Sequence, residues 1–192
     1  MDTDPTPMLR AAAIEDAGAC DVDGLLAAIA DQQCRAGRRV RGVVMIHPDE
    51  SSLAPGGTGC ARPMVLVDLQ TRQTYRVSQP LGQGSTGCRA DPQGFARASE
   101  VLRRAADEAP ELVISNRFGA LEAEGVGFRA ELLEILARDL PLLTVVASRH
   151  RDAWQHFTGG AAVLPAQADV INAWLDAALG PVARTPTPDA ES

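Results

Sequence analysis

Apolar positions along the chain fall into short β-rich runs separated by stretches of helical period. Residues 9–14 form an apolar run that reads as a first strand. An acidic turn follows over 15–23, with Gly18 inside it. Asp23 is placed to cap a helix whose apolar positions Leu25, Leu26, Ile29 and Ala30 recur at helical spacing. Gly37 ends that helix, and 40–46 reads as a buried strand. The prolines and glycines of 47–63 make a loop, and 64–69 and 73–77 make a hairpin whose turn lacks Asn-Gly chemistry. Further on, 92–107 is a helix with Phe95, Ala98, Val101, Leu102 and Ala105 inward, and 111–115 is a strand. A polar excursion over 116–127 leads to a helix over 127–138, a buried strand over 142–146 and a short helix over 150–157. A short strand over 161–164 and a closing helix over 168–179 complete the pattern.

Strands alternating with helices predict an α/β fold: three layers, a mostly parallel sheet with helices on both faces. Ligands of such folds lie at the carboxyl ends of the strands, which collects the segments after Ile14, Val77, Ile114 and Val146 into one crevice. The expected organisation is a flexible start over 1–8, one α/β domain over 9–180 and a disordered tail over 181–192.

Composition narrows the class. Apolar residues at 45% and charged residues at 22% suit a globular protein, and no apolar run approaches the roughly 20 residues of a membrane helix. The acidic, proline-containing start is unlike a signal peptide, so a cytoplasmic location is expected. A net charge of −7 argues against nucleic-acid or anionic-membrane partners. Cys20, Cys34, Cys60 and Cys88 show no CxxC spacing, which disfavours a zinc site.

The densest chemistry lies in 78–91. Gly82, Gly84 and Gly87 allow the backbone to turn its N–H groups inward, and Ser85, Thr86 and Arg89 add donors, with Ser78, Gln79 and Cys88 beside them. Asp91-Pro92 opens the next helix, so the whole is a candidate oxyanion site, against the plainer reading of a glycine-rich connection with an N-cap. Asn116 and Arg117 follow a strand where nucleotide hydrolases place an acidic pair for magnesium. An arginine cannot hold that metal but can hold an anion. The plainer reading pairs Arg117 with Glu122 or Glu124. Arg149, in Ser148-Arg149-His150-Arg151, is a second anion candidate at a strand end. A phosphate loop is disfavoured: 15–24 has no lysine and carries Glu15, Asp16, Asp21 and Asp23. His47 and His156 read as structural, and no Ser-His-Asp order or nucleophile elbow appears.

The segment from Ser78-Gln79 through Gly87-Cys88-Arg89 to Asp91-Pro92, with Asn116-Arg117-Phe118-Gly119, Glu122, Glu124-Gly125 and Gly127, resembles a bacterial family of unknown function encoded beside molybdate-transport genes. That family is similar to small P-loop nucleoside triphosphatases, whose corresponding turn reads Asp-Glu-x-Gly-x-x-Glu. Here Gly119 and Glu122 keep the frame while Asn116 and Arg117 replace the acidic pair. The resemblance implies a degenerate P-loop-like fold and a role in molybdenum handling.

Three functions follow as expectations. The leading one is a non-hydrolytic protein binding molybdate or tungstate, with partners among molybdate-transport or molybdenum-cofactor proteins. The residues themselves fix no cofactor. The second is a divergent nucleotide-binding protein or triphosphatase using ATP and magnesium, in which Asp16, Glu122 or Glu124 would carry the metal. The third is a regulatory interaction module without a small ligand. A homo-oligomer is compatible with all three.

Overall fold

The computed structural model describes residues 9–48, 63–80 and 88–180. The expected flexible start and tail, most of the 47–63 loop and the stretch with Gly84, Ser85, Thr86 and Gly87 lie outside the described residues. Nine strands are described: β1 (Ala11–Asp16), β2 (Val40–Ile46), β3 (Val65–Asp68), β4 (Thr74–Arg76), β5 (Ser78–Pro80), β6 (Cys88–Ala90), β7 (Leu112–Ile114), β8 (Leu142–Ala147) and β9 (Ala162–Leu164). The helices are α1 (Val22–Arg35), α2 (Pro92–Glu108), α3 (Ala120–Ala123), α4 (Arg129–Ala137), α5 (Arg151–Thr158) and α6 (Ala168–Leu179).

Seven strands form one sheet in the order β4-β3-β2-β7-β8-β1-β9. β2, β7, β8, β1 and β9 run parallel, and the β3–β4 hairpin adds an antiparallel margin. The central strands β1, β7 and β8 are apolar on both faces, as a doubly covered parallel sheet requires. On one face α1 and α6 bury Leu26, Ile29, Ile171 and Trp174 against Ile14, Ile114 and Val145. On the other, α2, α4 and α5 bury Leu102, Leu132 and Trp154 against Val43, Val113 and Val146. The three-layer α/β architecture read from the strand–helix alternation is the one observed.

Close strand contact depends on Gly42. Its φ of +116° suits glycine, and a Cβ there would run into the Ile114 carbonyl oxygen across the β2–β7 pair.

Three local expectations are corrected. The first strand reaches Asp16, so Glu15 and Asp16 belong to β1 and the turn begins at Ala17. The cap of α1 is Asp21, whose carboxylate accepts from the Gly24 amide at 3.0 Å; Asp23 sits inside the first helical turn with its side chain directed elsewhere. The segment read as one continuous loop over 78–91 holds a small hairpin, in which β5 and β6 pair Ser78 with Ala90 and Gln79 with Arg89. The β3–β4 turn works without Asn-Gly because Asp68 accepts from the Gln70 amide, the Thr71 amide and the Thr71 hydroxyl.

Candidate functional site

The carboxyl ends of β1, β2, β7 and β8 open on one side of the sheet, and the turns there bring together charges from distant parts of the chain. Arg117, three residues past Ile114 at the end of β7, reaches across to the first βα turn. Its Nη1 donates to Asp16 Oδ2 at 2.6 Å and its Nη2 to Asp23 Oδ1 at 2.9 Å. The second Asp23 oxygen lies 3.1 Å from His47 Nε2, just beyond β2. The second Asp16 oxygen accepts from the Gly18 amide at 2.9 Å. One guanidinium therefore ties the end of β1, the start of α1, the end of β2 and the end of β7 into a single network.

The electrostatics follow from that geometry. The Arg117 hydrogen bond, the Gly18 amide and the nearby charge of Arg149 hold the Asp16 carboxyl below its usual range, against the opposing effect of partial burial. Burial works against the Arg117 charge, and Asp16 and Asp23 outweigh it, so the guanidinium is held firmly protonated.

Two hollows flank the network. The larger, about 550 Å³, is lined by Asp16, Cys20, Asp23, Met64, His47 and Arg117 among others. The smaller, about 440 Å³, lies between Asp16, Gly18, Arg117, Ser148 and Arg149. Asp16, Gly18 and Arg117 line both, so the Asp16–Arg117 pair is the wall between them. Arg149 is exposed, and its Nε contacts His150 Nε2 at 3.2 Å.

The remaining candidate residues are placed as follows. Asn116 is buried at 4% exposure, and its amide oxygen has no donor among the described residues. Ser78 is buried with its hydroxyl accepting from the Met64 amide at 2.8 Å, an arrangement that fixes the end of β4 beside β3. Gln79 donates to the Ala90 carbonyl at 3.4 Å within the small hairpin. Arg89 is exposed, and Cys88 is described only as part of β6. The structure thus gathers Arg117 and Arg149 about one wall and gives Ser78 and Gln79 local structural bonds.

One expectation about the 116–127 excursion is overturned. Arg117 pairs with Asp16 and Asp23 rather than with Glu122 or Glu124. Glu122, a magnesium candidate in the nucleotide reading, is buried at 4% exposure and accepts from the Gly119 amide at 2.9 Å and the Phe128 amide at 3.0 Å. Gly127 makes room for that arrangement, since at its φ of +62° a Cβ would meet the Glu122 carboxylate. Among the described residues no group of three or more His, Cys, Asp and Glu could hold a metal ion.

The members of the network that sequence reasoning gave other roles are Asp23, read as a helix cap, and His47, read as structural. The one signal that could have found them is position, since each stands within the segments that follow parallel strands. No helix among the described residues is long and apolar enough to cross a membrane.

Comparison with known proteins places the chain. The model of the family described as "Protein of unknown function (DUF2478)" matches residues 11–174. The chain belongs to that family. This DUF2478 member is 37% identical over 155 residues to the Molybdenum import ATP-binding protein ModC 2 of Bradyrhizobium diazoefficiens. That alignment takes in 80% of this chain and 17% of the relative, so the chain spans under a fifth of that protein's length. Its fold is similar to THEP1 from the hyperthermophile Aquifex aeolicus, at a TM-score of 0.59 and 15% identity, over 89% of this chain and 98% of THEP1. It is likewise similar to a human cancer-related nucleoside triphosphatase, at a TM-score of 0.61 and 13% identity, over 88% and 95% of the two chains. At such identities the likeness is one of fold.

Proposed function

We propose that this DUF2478 member binds a small tetrahedral oxyanion of the molybdate or tungstate class at the carboxyl-end crevice, without hydrolysing a nucleotide, in molybdenum uptake or homeostasis. The observation that carries this reading is the position of Arg117 between Asp16 and Asp23. A triphosphatase of this fold needs cationic and amide donors in the first turn and carboxylates for magnesium at the strand end that corresponds to β7. Here the polarity is reversed: carboxylates occupy the first turn and a guanidinium the later one. A triphosphate would meet Asp16, Asp21 and Asp23, and magnesium would meet Arg117. The chain has no lysine at all, because its 18 basic residues are all arginine.

What favours an oxyanion is the smaller hollow, with Arg117 and Arg149 on its walls and Ser148, whose hydroxyl donates to the Asp16 carbonyl at 3.4 Å, beside them. Guanidinium groups with a hydroxyl supply the charge-assisted bonds a tetrahedral dianion takes without metal chemistry. The ModC 2 relative is named for molybdenum import, which supports molybdate over other dianions and supports a transport protein as partner.

A divergent nucleotide-binding role is the second reading, favoured by the triphosphatase fold and by the words "ATP-binding" in that same name. Isothermal titration with molybdate, tungstate, sulfate and ATP–magnesium separates the two. Micromolar molybdate binding with no ATP heat is the expected result. ATP–magnesium binding without molybdate binding establishes the second reading instead, and no heat from any of the four removes both.

A further inference from the structure

The wall between the two hollows carries an inference about how the crevice is controlled, and it rests on the oxyanion reading above. Arg117 and Arg149 line the smaller hollow, and among the described residues the one carboxylate lining it is Asp16. Asp16 already accepts a short bond of 2.6 Å from Arg117, while its other oxygen accepts from the Gly18 amide. Among the described residues Arg149 meets no carboxylate at ion-pair distance; its Nε donates to the imidazole of His150. Asp23, the other partner of Arg117, lies on the far side and has His47 as a second partner.

We infer that Asp16 is an intramolecular competitor: its carboxylate occupies the place on Arg117 that an oxyanion takes, and binding proceeds by exchange of this internal anion for the external one. A carboxylate carries one negative charge and a tetrahedral dianion two, so the exchange favours a dianion that engages Arg117 and Arg149 together. Monoanions of similar size would gain nothing over the resident carboxylate. The crevice thereby discriminates by charge, and Asp16 sets the threshold. Asp23 keeps Arg117 oriented throughout, because its bond to His47 holds it on the other side. The depressed pKa of Asp16, to which Arg149 contributes, accords with a carboxylate standing in the field of both guanidiniums.

The test is isothermal titration with molybdate and with perchlorate as a tetrahedral monoanion. It uses the wild-type chain, Asp16→Asn, Asp21→Asn and Arg149→Ala, each checked for a cooperative thermal transition. Asp21→Asn removes a neighbouring charge while retaining a competent helix cap, so it reports long-range electrostatics alone. The expected result is molybdate binding about tenfold tighter in Asp16→Asn, changed less than about threefold in Asp21→Asn and lost in Arg149→Ala. Asp16→Asn should also begin to bind perchlorate.

Wild-type binding of molybdate that is unchanged or weakened in Asp16→Asn overturns the competitor role and leaves the oxyanion reading standing. Equal tightening in Asp16→Asn and Asp21→Asn overturns it too, since the effect would then be general. Molybdate binding by none of the folded variants removes the oxyanion reading itself. Should Asp16→Asn fail to fold, carboxyl NMR of the wild-type chain decides: saturating molybdate should move the Asp16 titration upward, and an unmoved titration overturns the exchange.

Discussion

Arg117 donates to Asp16 at 2.6 Å although the two residues stand 101 positions apart in the chain. They meet because β1 and β7 flank β8 in the sheet, so their carboxyl ends open on the same side. The contact, with the second bond to Asp23, is also the main electrostatic tie across the crevice. Replacing Arg117 with Met should therefore leave the two carboxylates without their shared cation, Asp16 keeping the Gly18 amide and Asp23 keeping His47. A loss of about 1–3 kcal/mol is expected, the partial exposure of the pair keeping it below the cost of breaking a fully buried one. Urea unfolding measures it. Asp23→Asn, which keeps the shape and one acceptor, should cost less than Arg117→Met.

Glu122 is a structural residue in the position where a magnesium-dependent enzyme would use a carboxylate. Glu122→Ala should cost about 2–4 kcal/mol, because the half-buried Gly119 amide and the buried Phe128 amide lose their acceptors. Magnesium up to millimolar concentration should shift the unfolding midpoint of neither the parent nor the variant. A magnesium-dependent rise in the parent, absent in Glu122→Ala, would restore a catalytic role.

Much of this layout could be read in the sequence. Apolar periodicity located the inner faces of α1, α2, α4 and α6, and short β-rich runs located the central strands, because a doubly covered sheet demands such runs. The choice of Arg117 and Arg149 as charged residues at strand ends also followed from the rule for parallel sheets. Their partners did not. Sequence proximity suggested Glu122 and Glu124 for Arg117, whereas strand order supplied Asp16 and Asp23 from the opposite end of the chain. The helix cap was displaced for a similar reason. Asp21 and Asp23 are equally good caps by type, and only the backbone decides which one faces the Gly24 amide. Strands β5 and β6 were lost because three residues carry no readable alternation, and a glycine-rich stretch between them reads as loop.

Capping gives a sharp local test of that correction. Asp21→Ala should destabilise by about 1 kcal/mol through the lost bond to the Gly24 amide. Asp21→Asn should be nearly neutral. The helical signal of α1 would fray with Asp21→Ala and stay intact with Asp23→Asn, as seen by amide hydrogen exchange over Gly24–Leu26.

Acid should act through Asp16. Its folded-state pKa is lowered from the ordinary 3.8, chiefly by the bond from Arg117, so its contribution is present above that value and lost as pH falls through the lower folded value. Stability should thus be level in Asp16 terms above about pH 5 and decline below about pH 4. Asp16→Asn should remove this part of the acid limb while leaving that of Asp68, whose carboxyl is also lowered: burial raises it, and the bonds from Thr71 and Gln70 with the charge of Arg104 outweigh that. Urea midpoints from pH 2.5 to 7 provide the check; an acid limb identical in the two proteins would refute the assignment.

Equilibrium dialysis of the chain against molybdate, in the presence of excess sulfate, tests the central claim most directly, with Arg117→Ala and Arg149→Ala run alongside. Selective retention of molybdate by the parent, lost in both variants, is the result that the crevice geometry leads us to expect. Retention equal to that of sulfate, or retention unaffected by either substitution, would contradict an oxyanion site at this crevice.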